Sequence, residues 1–267
     1  MKIKILILLL LLLMITGNIT AGELTISGIY QGKNLHLMNP YTAVGSKIFC
    51  VTQILINGKA ITTDINSSSY EIDFSEFNLK IGDRVDVIIK HKDGCQPKIV
   101  NKDVLKPVST FEMVGSIRFD EKLNQITWET TKESGPLPFD VQQKKWNKWV
   151  TVGTVEGLGN ADKNNYSYPV LLHSGDNVFR VRQRDFTGKD NFGTKREFVI
   201  KSRKPPVTFE PKKPDKVINF SAETDYEIFN SKGEKVLSGR SRTVKIDNLP
   251  KGEYHLNFDS QTQIFKK

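Results

Sequence analysis

From residue 23 onward the sequence almost never repeats apolar residues at helical spacing. Short runs rich in Val, Ile, Thr, Tyr and Phe recur instead between clusters of Gly, Asn, Asp, Ser and Pro, the pattern of many short antiparallel strands. Each such strand has one face to bury, and two sheets packed face to face bury it most simply. The prediction is an all-β chain of tandem β-sandwich domains with a small C-terminal β-sandwich. Proline-containing breaks near 105–109 and at 201–216 divide it into residues 23–106, 107–202 and 217–267, with 203–216 as a basic, proline-rich, solvated linker.

Residues 1–22 read differently. Lys2 and Lys4 precede an apolar run from residue 5 to 15, and "TGNITAG" follows. Charge, apolar run and small residues in that order predict a secretory signal peptide; the run is shorter than the ~20 residues that span a bilayer. No cysteine lies near its end, so lipid attachment at a new N-terminal Cys is not expected. The formal net charge is +9, and loss of Lys2 and Lys4 with no acid before Glu23 leaves +7. Basic residues are spread along the chain, densest in "KSRKPPVTFEPKKPDK", without the one-faced clustering or aromatics of a nucleic-acid site. No nucleic-acid partner is expected, and attraction to anionic surface polymers is the remaining reading of the charge.

In the first segment, "ILINGKAI" places Asn57-Gly58 between two strands, a pair that tolerates the positive φ of a tight hairpin turn. "RVDVIIKH" alternates Val85, Val87 and Ile89 on one face. The two cysteines, Cys50 and Cys95, both lie here, and in an oxidising compartment a disulfide between them is expected. A catalytic thiol is the alternative, but there is no C-x-x-C or flanking Cys-His pattern.

The second segment carries "QITWETTKESGPLPFDVQQKKWNKWVTVGTVEGLGN" and "YSYPVLLHSGDNVFRVRQRDFTGKDNFG". Trp128 sits on an apolar strand, and Val178, Arg180 and Arg182 alternate with Phe179 and Val181. This stretch resembles a fibronectin type III module, especially the version in secreted Bacteroidetes proteins. The resemblance implies an immunoglobulin/fibronectin III-like sandwich serving as spacer or binding platform, and no chemistry. Asp185, Asp190 and Asn191 in "DFTGKDNFG" lack EF-hand spacing, so a turn is expected there.

The third segment has "DYEIFNSKGEKVLSG", "RTVKIDNLPKGEYHLNF" and "TQIFKK". A strand–"N.KG..V"–strand hairpin with Gly233, then "LPKGEY" with Gly252 and Tyr254, then "FKK" with Lys266 and Lys267, resembles the C-terminal sorting domain of the Bacteroidetes type IX secretion system. The resemblance implies a β-module that presents Gly252–Tyr254 and the two lysines to the type IX translocon. It also implies a surface or secreted destination by way of the periplasm, with lipopolysaccharide as the anchor of members cleaved at this module. Many members open the module with "NP", whereas this chain has "FEPKKPDKVINFSAETDY", which leaves cleavage open. In size, three-part plan and tail the chain also resembles the small PorA proteins. That similarity implies instead an envelope component of the secretion machinery with a two-component signalling protein as partner.

No G-x-S-x-G, H-E-x-x-H, Walker loop or dinucleotide motif occurs, and His36, His91, His173 and His255 are scattered. No catalytic residues, cofactor or metal ligands are predicted. The expected function is that of a non-enzymatic exported protein with sandwich modules for binding. A glycan-binding adhesin or a hydrolase with two distant carboxylates is the third reading.

Overall fold

The computed structural model describes residues 22–62, 64–193 and 197–267. The predicted signal segment lies outside the described residues except for Gly22. The described chain is all-β apart from one-turn 3₁₀ helices at Ser75–Phe77 and Lys102–Leu105. Among the described residues, no helix is long and apolar enough to cross a membrane. The chain divides into two compact units: residues 22–28, Lys33–Leu79 and Arg84–Leu105 in one, Ile29–Gly32, Lys80–Asp83 and Lys106–Lys267 in the other.

The first unit carries β1 (Gly22–Ile29), β2 (Leu35–Met38), β3 (Val51–Ile56), β4 (Lys59–Ala60), β5 (Ser69–Ile72), β6 (Arg84–His91) and β7 (Lys98–Ile99). They form two sheets, ordered β1-β6-β3-β4 and β5-β2-β7. Strict alternation in β6 buries Val85, Val87 and Ile89 to within 1% exposure, and Leu35 and Leu37 of the other sheet are buried to the same degree. Asn57 and Gly58 adopt φ of 48° and 81° in the β3–β4 turn, as their sequence predicts. Cys50 and Cys95 are joined in a disulfide across 45 residues, with Cα atoms 5.9 Å apart. Closing a loop of that length restricts the unfolded chain. Reduction should therefore lower this unit's stability by about 2–4 kcal/mol, checked by urea unfolding with and without reductant.

The second unit begins with a sandwich of β8 (Glu112–Met113), β9 (Arg118–Asp120), β10 (Gln125–Thr131), β11 (Phe139–Lys145), β12 (Lys148–Val155), β13 (Asn164–Pro169), β14 (Gly175–Arg184), β15 (Asp190–Asn191) and β16 (Phe198–Ser202). One sheet is ordered β13-β10-β8 with β9 also on β10; the other is β12-β11-β14-β15 with β16 also on β14. Trp128 fills the space between the sheets, stacked on Tyr166 at 5.3 Å and edge-on to Phe139 at 5.9 Å. Phe179 and Val181 face this core at 0% and 1% exposure. The opposite face of β14 holds Arg180 between the rings of Trp149 and Phe192, 4.0 and 4.3 Å from their centroids. Buried Glu133 pins the β13 side by accepting hydrogen bonds from Thr130 Oγ1, the Gly159 amide and the Tyr166 hydroxyl. Asp185 and Asp190 form a turn as expected: Asp185 accepts from Thr187 and Asp190 pairs with Arg184 at 2.7 Å.

The same unit ends with β17 (Phe209–Glu210), β18 (Val217–Asn230), β19 (Lys235–Lys245), β20 (Glu253–Phe258) and β21 (Gln261–Lys266), in one sheet ordered β17-β18-β20-β21 with β19 on β18. The β18–β19 register shifts between Asn219 and Thr224, and a bulge of this kind bends a sheet. The bend brings Phe209 and Phe220 against Phe258, at 5.6 and 5.3 Å, so the sheet encloses its own core. One expectation changes here. Residues 203–216 are not simply a solvated linker, because Val207 (7%) and Phe209 (1%) are buried in that core and β17 pairs with β18. β19 runs without a break through Gly239, opposite Tyr226, whose hydroxyl would lie 3.1 Å from an added Cβ.

Candidate recognition surface of the C-terminal module

Gly233 sits in the exposed β18–β19 turn with φ of 79° and open space around it, a conformation that costs glycine little. Asn230 closes the turn by accepting from the Lys232 and Glu234 amides at 2.9 and 3.0 Å. Gly252 and Lys267 exchange backbone hydrogen bonds of 3.2 and 3.0 Å, which seal the β20–β21 pair beyond its last ladder residues.

Tyr254 is where the structure departs from the expectation of outward display. It is 4% exposed, stacks on Phe265 at 5.3 Å, and donates its hydroxyl to the Pro250 carbonyl at 2.7 Å. The motif tyrosine is thus a core residue that ties the "LPKGEY" turn to the last strand. The two lysines also separate. The Lys266 side chain is 75% exposed, with Glu253 3.8 Å away. Lys267 turns back, and its Nζ donates to the carbonyls of Ile246, Asp247 and Leu249 at 2.6–2.8 Å. Lys267→Ala should therefore lower the module's stability by about 1–2 kcal/mol, since charged donors to three carbonyls are lost. Lys266→Ala should leave the melting midpoint unchanged, as exposed pairs contribute little. Thermal unfolding of the two variants side by side checks the contrast.

The accessible part of the motif is the outer side of β21, a terminal strand of its sheet. Thr262, Ile264 (55% exposed) and Lys266 point outward there, while Phe265 points into the core.

The other end of β21 is held by a junction that sequence reading does not reveal. The β11–β12 turn, with Trp146 and Asn147 at φ of 51° and 60°, lies against β18 and the β20–β21 turn. Lys145, 8% exposed, pairs with Asp225 at 2.5 Å; Lys148 pairs with Glu227 at 2.5 Å; Trp146 Nε1 donates to the Asp259 carbonyl at 3.1 Å. Asp259, 5% exposed, is the hub. Its carboxylate accepts from the Ser174 amide (2.8 Å), the Ser174 hydroxyl (2.5 Å) and the Val207 amide (3.1 Å), and its own amide donates to Thr224 Oγ1 at 3.0 Å. Burial alone would raise the Asp259 carboxyl, but the Ser174 and Val207 hydrogen bonds and the nearby His173 outweigh it and hold it below the usual range. Asp225 and Glu227 are likewise lowered against the burial effect, by Lys145 with Arg240 and by Lys148 with Lys235.

A cleft of about 370 Å³ beside this junction is lined by Trp146, Tyr168, Tyr226, Asp225 and Glu227. Both carboxylates there are already paired with lysines, so they do not form a free acid–base couple. His91 lies beside Cys50 and Cys95, but the two sulfurs are bonded to each other and offer no thiolate to a metal.

Comparison of the sequence with protein-family models and with curated proteins produced no match. Solved structures do show similarity. One is a tetra-tandem repeat from the extending region of a large adhesion protein, at 10% identity, covering 92% of this chain and 81% of that one, with a TM-score of 0.29. The chicken CNTN1 FN1-FN3 domains match at 14% identity over 90% of this chain and 89% of theirs, TM-score 0.22. A Lactobacillus rhamnosus β-glucuronidase matches at 15% identity over 76% of this chain and 38% of the enzyme, TM-score 0.19.

Proposed function

We propose that this chain is a non-enzymatic exported protein whose C-terminal module is a type IX sorting address and whose sandwiches are its binding modules. The reading is carried by one observation: the motif residues build a module with its own core, and that module leaves the outer side of β21, with Ile264 and Lys266, uncovered. The address is then the β21 surface itself, and Gly252, Tyr254 and Lys267 act by holding that strand in place. Such a surface, apolar at one position and cationic two residues on, suits a receptor that reads a strand.

The test uses a bacterium with a type IX system. Because Val207 and Phe209 belong to the module's core, the truncation should begin at Arg203, and it should leave the protein in the periplasm. The paired variant Ile264→Ser/Lys266→Ser changes only exposed side chains. It should keep the wild-type melting midpoint yet lower surface delivery at least tenfold. Delivery of both proteins at the wild-type level would reject the proposal.

A further inference from the structure

Among its described residues, the first unit has an apolar groove where its two sheets end. At the middle of its sandwich the inward residues Ile54, Ile56, Val85, Val87 and Ile89 are all within 1% exposure. On β1 the inward positions Leu24 and Ile26 are only partly buried, as is Ile99 on β7. These strands end their respective sheets: among the described residues, β1 neighbours only β6, and β7 pairs only with β2, through Leu37–Ile99 and Met38–Lys98. Between them runs a groove of about 510 Å³, lined by Leu24, Ile26, Pro97 and Ile99 with Lys98 and Lys102. Both lysines are exposed, and no carboxylate lines the groove.

A strand edge that no described strand pairs with, beside an apolar groove, invites pairing with another extended chain. The volume falls within the ~300–1,000 Å³ of binding clefts, and the lysines select for charge. We propose that this groove binds an extended segment of a partner protein by strand addition, and that the segment alternates apolar residues with Asp or Glu. Alternate side chains fill the space over Leu24, Ile26 and Ile99, and the acids meet Lys98 and Lys102. The net charge, +7 even without Lys2 and Lys4, favours encounter with an acidic partner. This inference is independent of the sorting reading.

Two synthetic heptapeptides, alternating valine with glutamate or valine with lysine, serve as probes for titration into the full chain followed by amide NMR shifts. The glutamate peptide should bind with shifts concentrated in β1 and β7, at least tenfold more tightly than the lysine peptide. The Lys98→Glu/Lys102→Glu variant, altered only at exposed positions, should keep its melting midpoint and reverse the preference. Failure of the glutamate peptide to bind, affinity indifferent to the charge reversal, or shifts confined to other strands would overturn the proposal. So would sedimentation showing that this edge is occupied by a second copy of the chain.

Discussion

Asp259→Ala is expected to lower the stability of the second unit by about 3–5 kcal/mol, the range for removing one partner from a buried charged network. The substitution deletes the acceptor of three donors, the Ser174 amide, the Ser174 hydroxyl and the Val207 amide. Both carboxylate oxygens sit in a site that water barely reaches, so the donors left behind are unsatisfied. For a unit of this size the loss corresponds to roughly 10 °C in melting midpoint. Asp259→Asn keeps one acceptor oxygen and should lose less. A double-mutant cycle with Ser174→Ala should show coupling above about 1 kcal/mol, since the two share hydrogen bonds. Strict additivity would mean that the hub does not connect the sandwich to the C-terminal module.

The same junction sets an acid response. Asp225, Glu227 and Asp259 all titrate below their usual range in the folded protein. A depressed carboxyl contributes stability that is fully present above its unfolded value, near pH 4, and is lost as pH falls through the folded value. The melting midpoint should therefore hold from neutral pH to about 4.5 and fall steeply below 4. Asp259→Ala should flatten that fall.

Tyr254→Ala should be comparably damaging, at about 3–5 kcal/mol, because a buried aromatic leaves a cavity and Phe265 loses its stacking partner. Tyr254→Phe should lose only about 1 kcal/mol, for the single hydrogen bond to Pro250. Urea unfolding of both variants measures the difference. Export then separates two roles for the tyrosine. If it only holds the fold, the Phe variant is delivered normally and the Ala variant is not. A Phe variant that is stably folded but undelivered would mean that the hydroxyl is read directly.

The strands and turns are largely legible in the sequence. Asn57-Gly58 announces its hairpin because both residues accept positive φ. The alternation of Val85, Val87 and Ile89 announces a buried face because successive side chains on a strand point to opposite sides. The disulfide follows from the only two cysteines in the chain. All of these signals lie within a few residues of one another or in composition.

The junction is of another kind. Lys145 and Asp225 are 80 residues apart, and Ser174 and Asp259 are 85 apart; no local pattern marks either pair. Nor does composition show that Val207 and Phe209, within a run of lysines and prolines, are core, because only the bend of β18 brings Phe258 over Phe209. The fate of Tyr254 and Lys267 belongs here as well. An aromatic and a terminal cation look alike in sequence whether displayed or folded inward. The direction each side chain takes is set by strand pairing, which places Phe265 beside Tyr254 and three carbonyls around Lys267. Periodicity and turn chemistry act over a few bonds and are written in the chain. Burial is settled by which distant strands meet.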